Sequence, residues 1–230
     1  IRQGAYAEAR AFLLESRAIY AALGDRHGLA DSLNGLGTVA LNLGEYEQTR
    51  QLYQESLALF HAVSDRPGES AALVNLGEAA RRQGDYAAAR QYYEMALKID
   101  HEMGDELLAA ITLGNLGHTA LACHDYPMAE AYYRKGLQTA AAINDIPDIL
   151  DILSGLSGVL THTNRSEQAL MVLSVVLNHP GLEDESRTIA EQALADLQHT
   201  QPQAVHAAGL QAGREYNLEE VVTEILASFE

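Results

Sequence analysis

The chain repeats itself every forty residues, and no other property restricts its fold as strongly. Leu33-Asn34-Gly35-Leu36-Gly37, Leu73-Val74-Asn75-Leu76-Gly77 and Leu113-Gly114-Asn115-Leu116-Gly117 align without a gap, and Leu153-Ser154-Gly155-Leu156-Ser157 keeps the leucines. Downstream the register holds. Gly4, Gly44 and Gly84 share one slot with His124 and Asn164, and Tyr6, Tyr46, Tyr86 and Tyr126 follow two places later. Leu13, Tyr53, Tyr93, Tyr133 and Leu173 occupy a third slot, and Asp25, Asp65, Asp105 and Asp145 close the units.

Each unit reads as two helices. Leu29, Leu33, Leu36 and Ala40 form one apolar stripe at helical spacing. Gly44 then suits a left-handed helix end, and a second stripe runs through Thr49, Leu52, Tyr53, Ser56, Leu57 and Phe60. Pro67 fits the first turn of the next helix. Gly37, Gly77 and Gly117 lie inside helices, where glycine costs about 1 kcal/mol relative to alanine, so their recurrence predicts a close approach of the paired helix.

These features, the Leu-x-x-Leu-Gly of the first helix, the Gly-Glu/Asp-Tyr turn and the aromatic of the second, resemble the tetratricopeptide repeat in a forty-residue variety. The resemblance covers residues 1–178: one partial unit, three clear ones and a degenerate fifth. It implies an all-α fold, a right-handed α-solenoid of antiparallel helix pairs. Residues 179–230 are expected to form a C-terminal helical cap, with helices over 183–199, about 203–212 and 218–229, the last opened by a capping box from Asn217 and Glu220. The stretch from Ala204 to Leu226 resembles the C-terminal end of bacterial signal-transduction ATPases and transcriptional regulators, which implies nucleotide-binding and effector domains upstream. The start at Ile1, halfway through a unit, leads to the same expectation of a longer natural chain. The apolar stripe of residues 4–23 would otherwise need another cover, and self-association through this edge helix is the alternative.

Composition narrows the partners. A formal net charge of −17 disfavours binding of nucleic acid or anionic membrane, and fits either plain solubility or a preference for basic partners. The single Cys123 fits a reducing, cytoplasmic setting, and neither a membrane span nor a signal peptide is present in the sequence.

Motifs with catalytic overtones are absorbed by the repeat. Gly35-Leu-Gly37-Thr-Val-Ala40 imitates a dinucleotide fingerprint, but it lies in a helical unit with no strand before it. No P-loop motif occurs, and Gly155-Leu-Ser157-Gly158 is a repeat remnant one residue short of a nucleophile elbow. His118, Cys123 and His124 would point in divergent directions around one helix, which cannot enclose an ion. No catalytic residue, metal or cofactor is therefore expected, and the chain reads as a non-enzyme.

In the repeat family the first helices line the concave face. That resemblance places Asn34, Asn75, Glu78, Arg81, Arg82, Asn115 and His118 in a partner-binding groove, with Asn75 and Asn115 at the positions that hold a ligand's extended backbone. Arg81 and Arg82 form a local basic pair that could fork onto a carboxylate, or could simply favour the helix dipole and solvent. The expected function is a protein–protein interaction scaffold, the partner-docking or sensor segment of a larger bacterial signalling protein that binds a protein or peptide. The alternative is a domain sensing a small-molecule effector.

Overall fold

A computed structural model describes residues 2–200 and 216–228. They form an all-α, tetratricopeptide-like solenoid of antiparallel helix pairs with further helices at its C-terminal end. In chain order the helices are α1 Arg2–Leu23, α2 Arg26–Asn42, α3 Tyr46–Ala62, α4 Arg66–Arg82, α5 Tyr86–Met103 and α6 Glu106–Ala122. They continue as α7 Tyr126–Ile143, α8 Ile146–His162, α9 Ser166–Val176, α10 Asp184–Thr200 and α11 Leu218–Ala227. The helix expected near 203–212 lies outside the described residues. The capping box is present: Asn217 accepts from the Glu220 backbone N–H at 3.0 Å, and Glu220 accepts in return from that of Asn217 at 2.9 Å. Among the described residues no helix is long and apolar enough to cross a membrane.

The recurring aspartates start helices. Asp25, Asp65 and Asp145 cap α2, α4 and α8 by accepting from the backbone N–H of Gly28, Gly68 and Asp148 at 3.0–3.1 Å. Asp85 and Asp125 do the same for α5 and α7. The helix ends are as regular. Gly44 and Gly84 adopt φ of +76° and +79°, and His124 and Asn164, in the same slot, take φ of +59° and +60°. The left-handed turn is thus kept even where a side chain must bear its cost.

Residues 1–105 and 106–230 are two compact units. In the first, α2 pairs with α3 and α4 with α5, while α3 also packs on α4. Leu52 closes on Leu33, Leu36 and Ala40 within one pair, and Tyr53 of that pair meets Leu76 and Ala79 of the next. Polar bonds reinforce the stack: Ser56 Oγ donates to the Ala30 carbonyl at 2.8 Å, and Ser70 Oγ bonds the fully buried Asp100. On α1 the expected stripe is uncovered only in part: Leu13 packs on the cluster of Leu33 and Leu36, and the Tyr20 ring lies on Gly28. Phe12 is 69 % exposed, whereas Leu52, forty residues on, is 7 % exposed.

In the second unit α6 pairs with α7 and α8 with α9. α10 lies on α8 and α9, and α11 on α7 and α9. These neighbours bury a continuous run of α8, from Ile152 to Leu160. One group is left in an awkward position. Asp148 Oδ2 is buried with no hydrogen-bond partner. Burial first, then the charges of Asp145, Asp151 and Glu183, push the Asp148 carboxyl up to about 6 from its ordinary 3.8. A carboxyl raised in the folded state is destabilising once ionised, so stability falls as pH climbs from about 4 through 6. Asp148→Asn is expected to stabilise unit 2 by about 1–2 kcal/mol at pH 7.5, discounted for residual hydration. That gain should fall to a small remainder at pH 4, close to the ordinary 3.8 of the unfolded carboxyl, and vanish only about a unit lower, where both states carry the proton. Urea unfolding at the two pH values checks this, and an equal gain at both would rule the charge out as the cause.

Candidate interaction surface on the first helices

The repeat places a buried tyrosine at the centre of each clear pair. Tyr53, Tyr93 and Tyr133, all at most 1 % exposed, come from the second helices α3, α5 and α7. Their rings lie on Gly37, Gly77 and Gly117 of the first helices, where an added Cβ would sit 2.4–2.6 Å from ring carbon. The close approach expected from the glycines is thus made by a side chain rather than by helix backbone. In α8 and α9 the same two slots hold Ser157 and Leu173.

Each tyrosine hydroxyl reaches the residue following the glycine, and that slot carries the chemistry. Tyr53 pairs with Thr38 at 3.1 Å, Tyr93 donates to Glu78 Oε2 at 3.3 Å, and Tyr133 meets His118 Nδ1 at 2.8 Å. Burial, above all, raises the Tyr53 and Tyr93 hydroxyls above their ordinary pKa.

In the first unit the polar side of α2 and α4 forms a strip. Asn75 Nδ2 donates to Asn34 Oδ1 at 2.9 Å, and Arg82 Nη1 reaches Asn42 Oδ1 at 3.4 Å. These bonds bring the first helices of successive repeats side by side. Arg81 forks onto Glu78 through Nε at 2.8 Å and Nη2 at 2.9 Å, and Arg82 Nε adds a bond to Oε1 at 2.5 Å. Burial acts to raise the Glu78 pKa, but the hydrogen bonds and charges of Arg81 and Arg82 outweigh it, and the carboxylate is held below its ordinary range. The basic pair therefore already chelates a carboxylate of its own helix, and the cluster keeps one net positive charge. Arg82 is the more exposed of the two arginines, at 38 % against 26 %.

In the second unit His118 is engaged on both sides. Nε2 lies 2.7 Å from Asp151 Oδ2, while Nδ1 faces the Tyr133 hydroxyl. A carboxylate only accepts, so Nε2 carries a proton, and in the neutral imidazole Nδ1 then accepts from the Tyr133 hydroxyl. Ser186 Oγ donates to the other Asp151 oxygen at 2.7 Å, completing a chain across α6, α7, α8 and α10. His118 is only 12 % exposed. Its nitrogens hold helices together here, whereas Asn115, three residues earlier, is half-buried on the same helix. Asp151 was not singled out in the sequence. Its signal lies in the varied slot Thr38, Glu78 and His118, which is polar in the three units that carry the buried tyrosine.

Residues 29–102, nearly all of α2–α5, match the tetratricopeptide repeat family model. Such repeats generally mediate protein–protein interaction. Among solved structures the chain is similar to BtubC (BKLC) from P. vanneervenii, with a TM-score of 0.72 and 19 % identity over 98 % of this chain and 92 % of that one. It is also similar to a P. anserina kinesin light chain protein with nearly identical tetratricopeptide-like repeats, at a TM-score of 0.53 and 18 % identity over 86 % and 90 % of the two chains. A search among curated proteins finds no significant match.

Proposed function

We propose that this chain is a docking module that holds an extended peptide or protein segment on the first-helix strip of its first unit. The observation that carries the reading is the pair of side-chain bonds from α4 to α2, Asn75 to Asn34 and Arg82 to Asn42. They present amides and a guanidinium in a row across two repeats, groups that can bond a ligand's backbone. The fold belongs to a class that typically scaffolds rather than catalyses. Within the second unit, Asn115 of α6 holds the slot of Asn75, and His118 positions α6 against α7 and α8.

The setting we infer is a larger bacterial signalling or regulatory protein in the cytoplasm. Support comes from the likeness of the Ala212-Gly213-Arg214 and Leu218-Glu219-Glu220-Val221-Val222 stretch to the ends of such regulators. The exposed stripe around Phe12 adds a face for self-association of the isolated chain.

Asn75→Ala combined with Arg82→Glu is expected to weaken partner capture about tenfold, or about 1.4 kcal/mol, with helicity unchanged. Arg81 is left in place because it neutralises Glu78. Affinity capture with the native and doubly substituted chains, each checked by circular dichroism, provides the test. Identical sets of captured proteins in identical amounts would place the docking face elsewhere.

A further inference from the structure

Asp148 stands in a slot that glycine fills in the first unit. Gly28 and Gly68 each follow an aromatic residue of the preceding second helix, Tyr20 and Phe60, and a Cβ added to either would strike that ring at 2.3–2.5 Å. The slot therefore points its side chain at the ring position. In α7 and α8 the ring position holds the fully buried Ala140, and the glycine slot holds Asp148. A carboxyl thus points into space that a ring fills elsewhere, which accounts for its buried Oδ2 without a hydrogen-bond partner.

We propose that Asp148 is a proton-operated latch on α10: with its carboxyl protonated, the turn after α9 and the start of α10 stay closed on α8, and with it ionised they loosen. The turn lies within reach of the latch. Gly181 stands on Leu150 of α8, a Cβ there lying 3.9 Å from Leu150 Cδ1, and Leu182 is buried in the shared core. The apolar hold on α10 is small, since its inward residues are Ser186, Ala190, Ala193 and Leu197. A single charge at its entrance therefore weighs heavily.

The charges that act on Asp148 are all negative: Asp145 and Asp151 on α8, and Glu183 immediately before α10. No neighbouring cation is turned to it. His118 of α6 reaches Asp151, as does Ser186 of α10. Arg187 donates to the Leu177 carbonyl, and His162, at the other end of α8, faces Asp196. On α7, Arg134 and Lys135 lie about 120° and 140° around the helix from Ala140. The only charge on α9, Glu167, is in its first turn, far from the turn into α10.

Burial foremost, then those three carboxylates, lifts the Asp148 carboxyl to about 6 from 3.8. The closed form therefore holds a proton that the open form releases. Opening is hardest below about pH 4, becomes easier as pH climbs, and levels off above about 6. It bares the α8 surface beneath α10, an interaction face that acid keeps shut.

Amide hydrogen exchange of the full chain at pH 5 and 7.5, corrected for intrinsic rates, tests the latch. Protection over residues 177–197 should fall about tenfold from pH 5 to 7.5, with α6 and α7 unchanged. Asp148→Asn, which keeps the shape of the protonated group, should abolish that difference. Ala140→Phe with Asp148→Gly, the pairing of the first unit, should abolish it too. A native chain without the difference, or one that keeps it after Asp148→Asn, would overturn the latch. So would a loss of protection spread evenly over α6 to α10, since the proton would then act on the whole unit and not on α10.

Discussion

Tyr133→Ala is expected to lower the stability of the second unit by about 3–5 kcal/mol, the usual cost of deleting a buried aromatic ring. The side chain is fully buried, fills the space against Gly117 and Gly155, and donates to His118 Nδ1. Its loss therefore opens a cavity and leaves an acceptor without a donor inside the packed unit. Tyr133→Phe separates the two effects. It keeps the ring and removes only the hydroxyl, and should cost about 1–3 kcal/mol. Repeats contact mainly their neighbours, so the damage should stay local. Hydrogen exchange after Tyr133→Ala should accelerate in α6 to α9 and leave α2 and α3 unchanged. A uniform acceleration, or a phenylalanine variant as weak as the alanine one, would contradict this account.

Gly77→Val should destabilise the first unit by about 2–3 kcal/mol, in the upper part of the range for overpacked cores. Its Cβ would lie 2.6 Å from Tyr93 Cε1 and 2.8 Å from Cδ1 and Cζ, and two methyl groups would press further into the ring. Valine's better helix propensity returns only a few tenths of a kcal/mol. The chain itself contains an alternative pairing of the two slots, since Ser157 and Leu173 stand where glycine and tyrosine stand in the preceding units. Gly77→Ser combined with Tyr93→Leu should accordingly cost about 1 kcal/mol or more less than the sum of the two single changes. Thermal unfolding of the four proteins measures that coupling. Strict additivity would mean that the ring does not set the glycine requirement.

The glycine–tyrosine pairs also show how far local pattern reaches. Glycine at 37, 77 and 117 was legible as a close-approach position, because a helical glycine carries a cost that recurrence makes improbable without a reason. That the approaching group is Tyr53, Tyr93 or Tyr133 was not legible. The pairing depends on the rotation of one helix about its axis relative to another, and each helix's own period leaves that rotation open. The groove residues behave likewise. Arg81 and Arg82 were readable as a basic pair three and four residues after Glu78, a spacing that permits bonds within one helix. The sequence reading left open whether they would serve a ligand carboxylate or the helix dipole and solvent, and Glu78 as their partner emerged only in the structure. His118 could be placed on the inner side of its helix, but Asp151, thirty-three residues away, could not be assigned to it.

By itself the sequence determined the helices, their left-handed ends and the forty-residue stacking unit. All of these depend on contacts within a few residues, repeated often enough to stand out. Tertiary structure alone decided which polar side chains meet across helices: Asn34 with Asn75, Arg82 with Asn42, and His118 with Tyr133 and Asp151. Such partners are set by the angle and rotation at which whole helices pack, and those follow from the fit of many side chains at once.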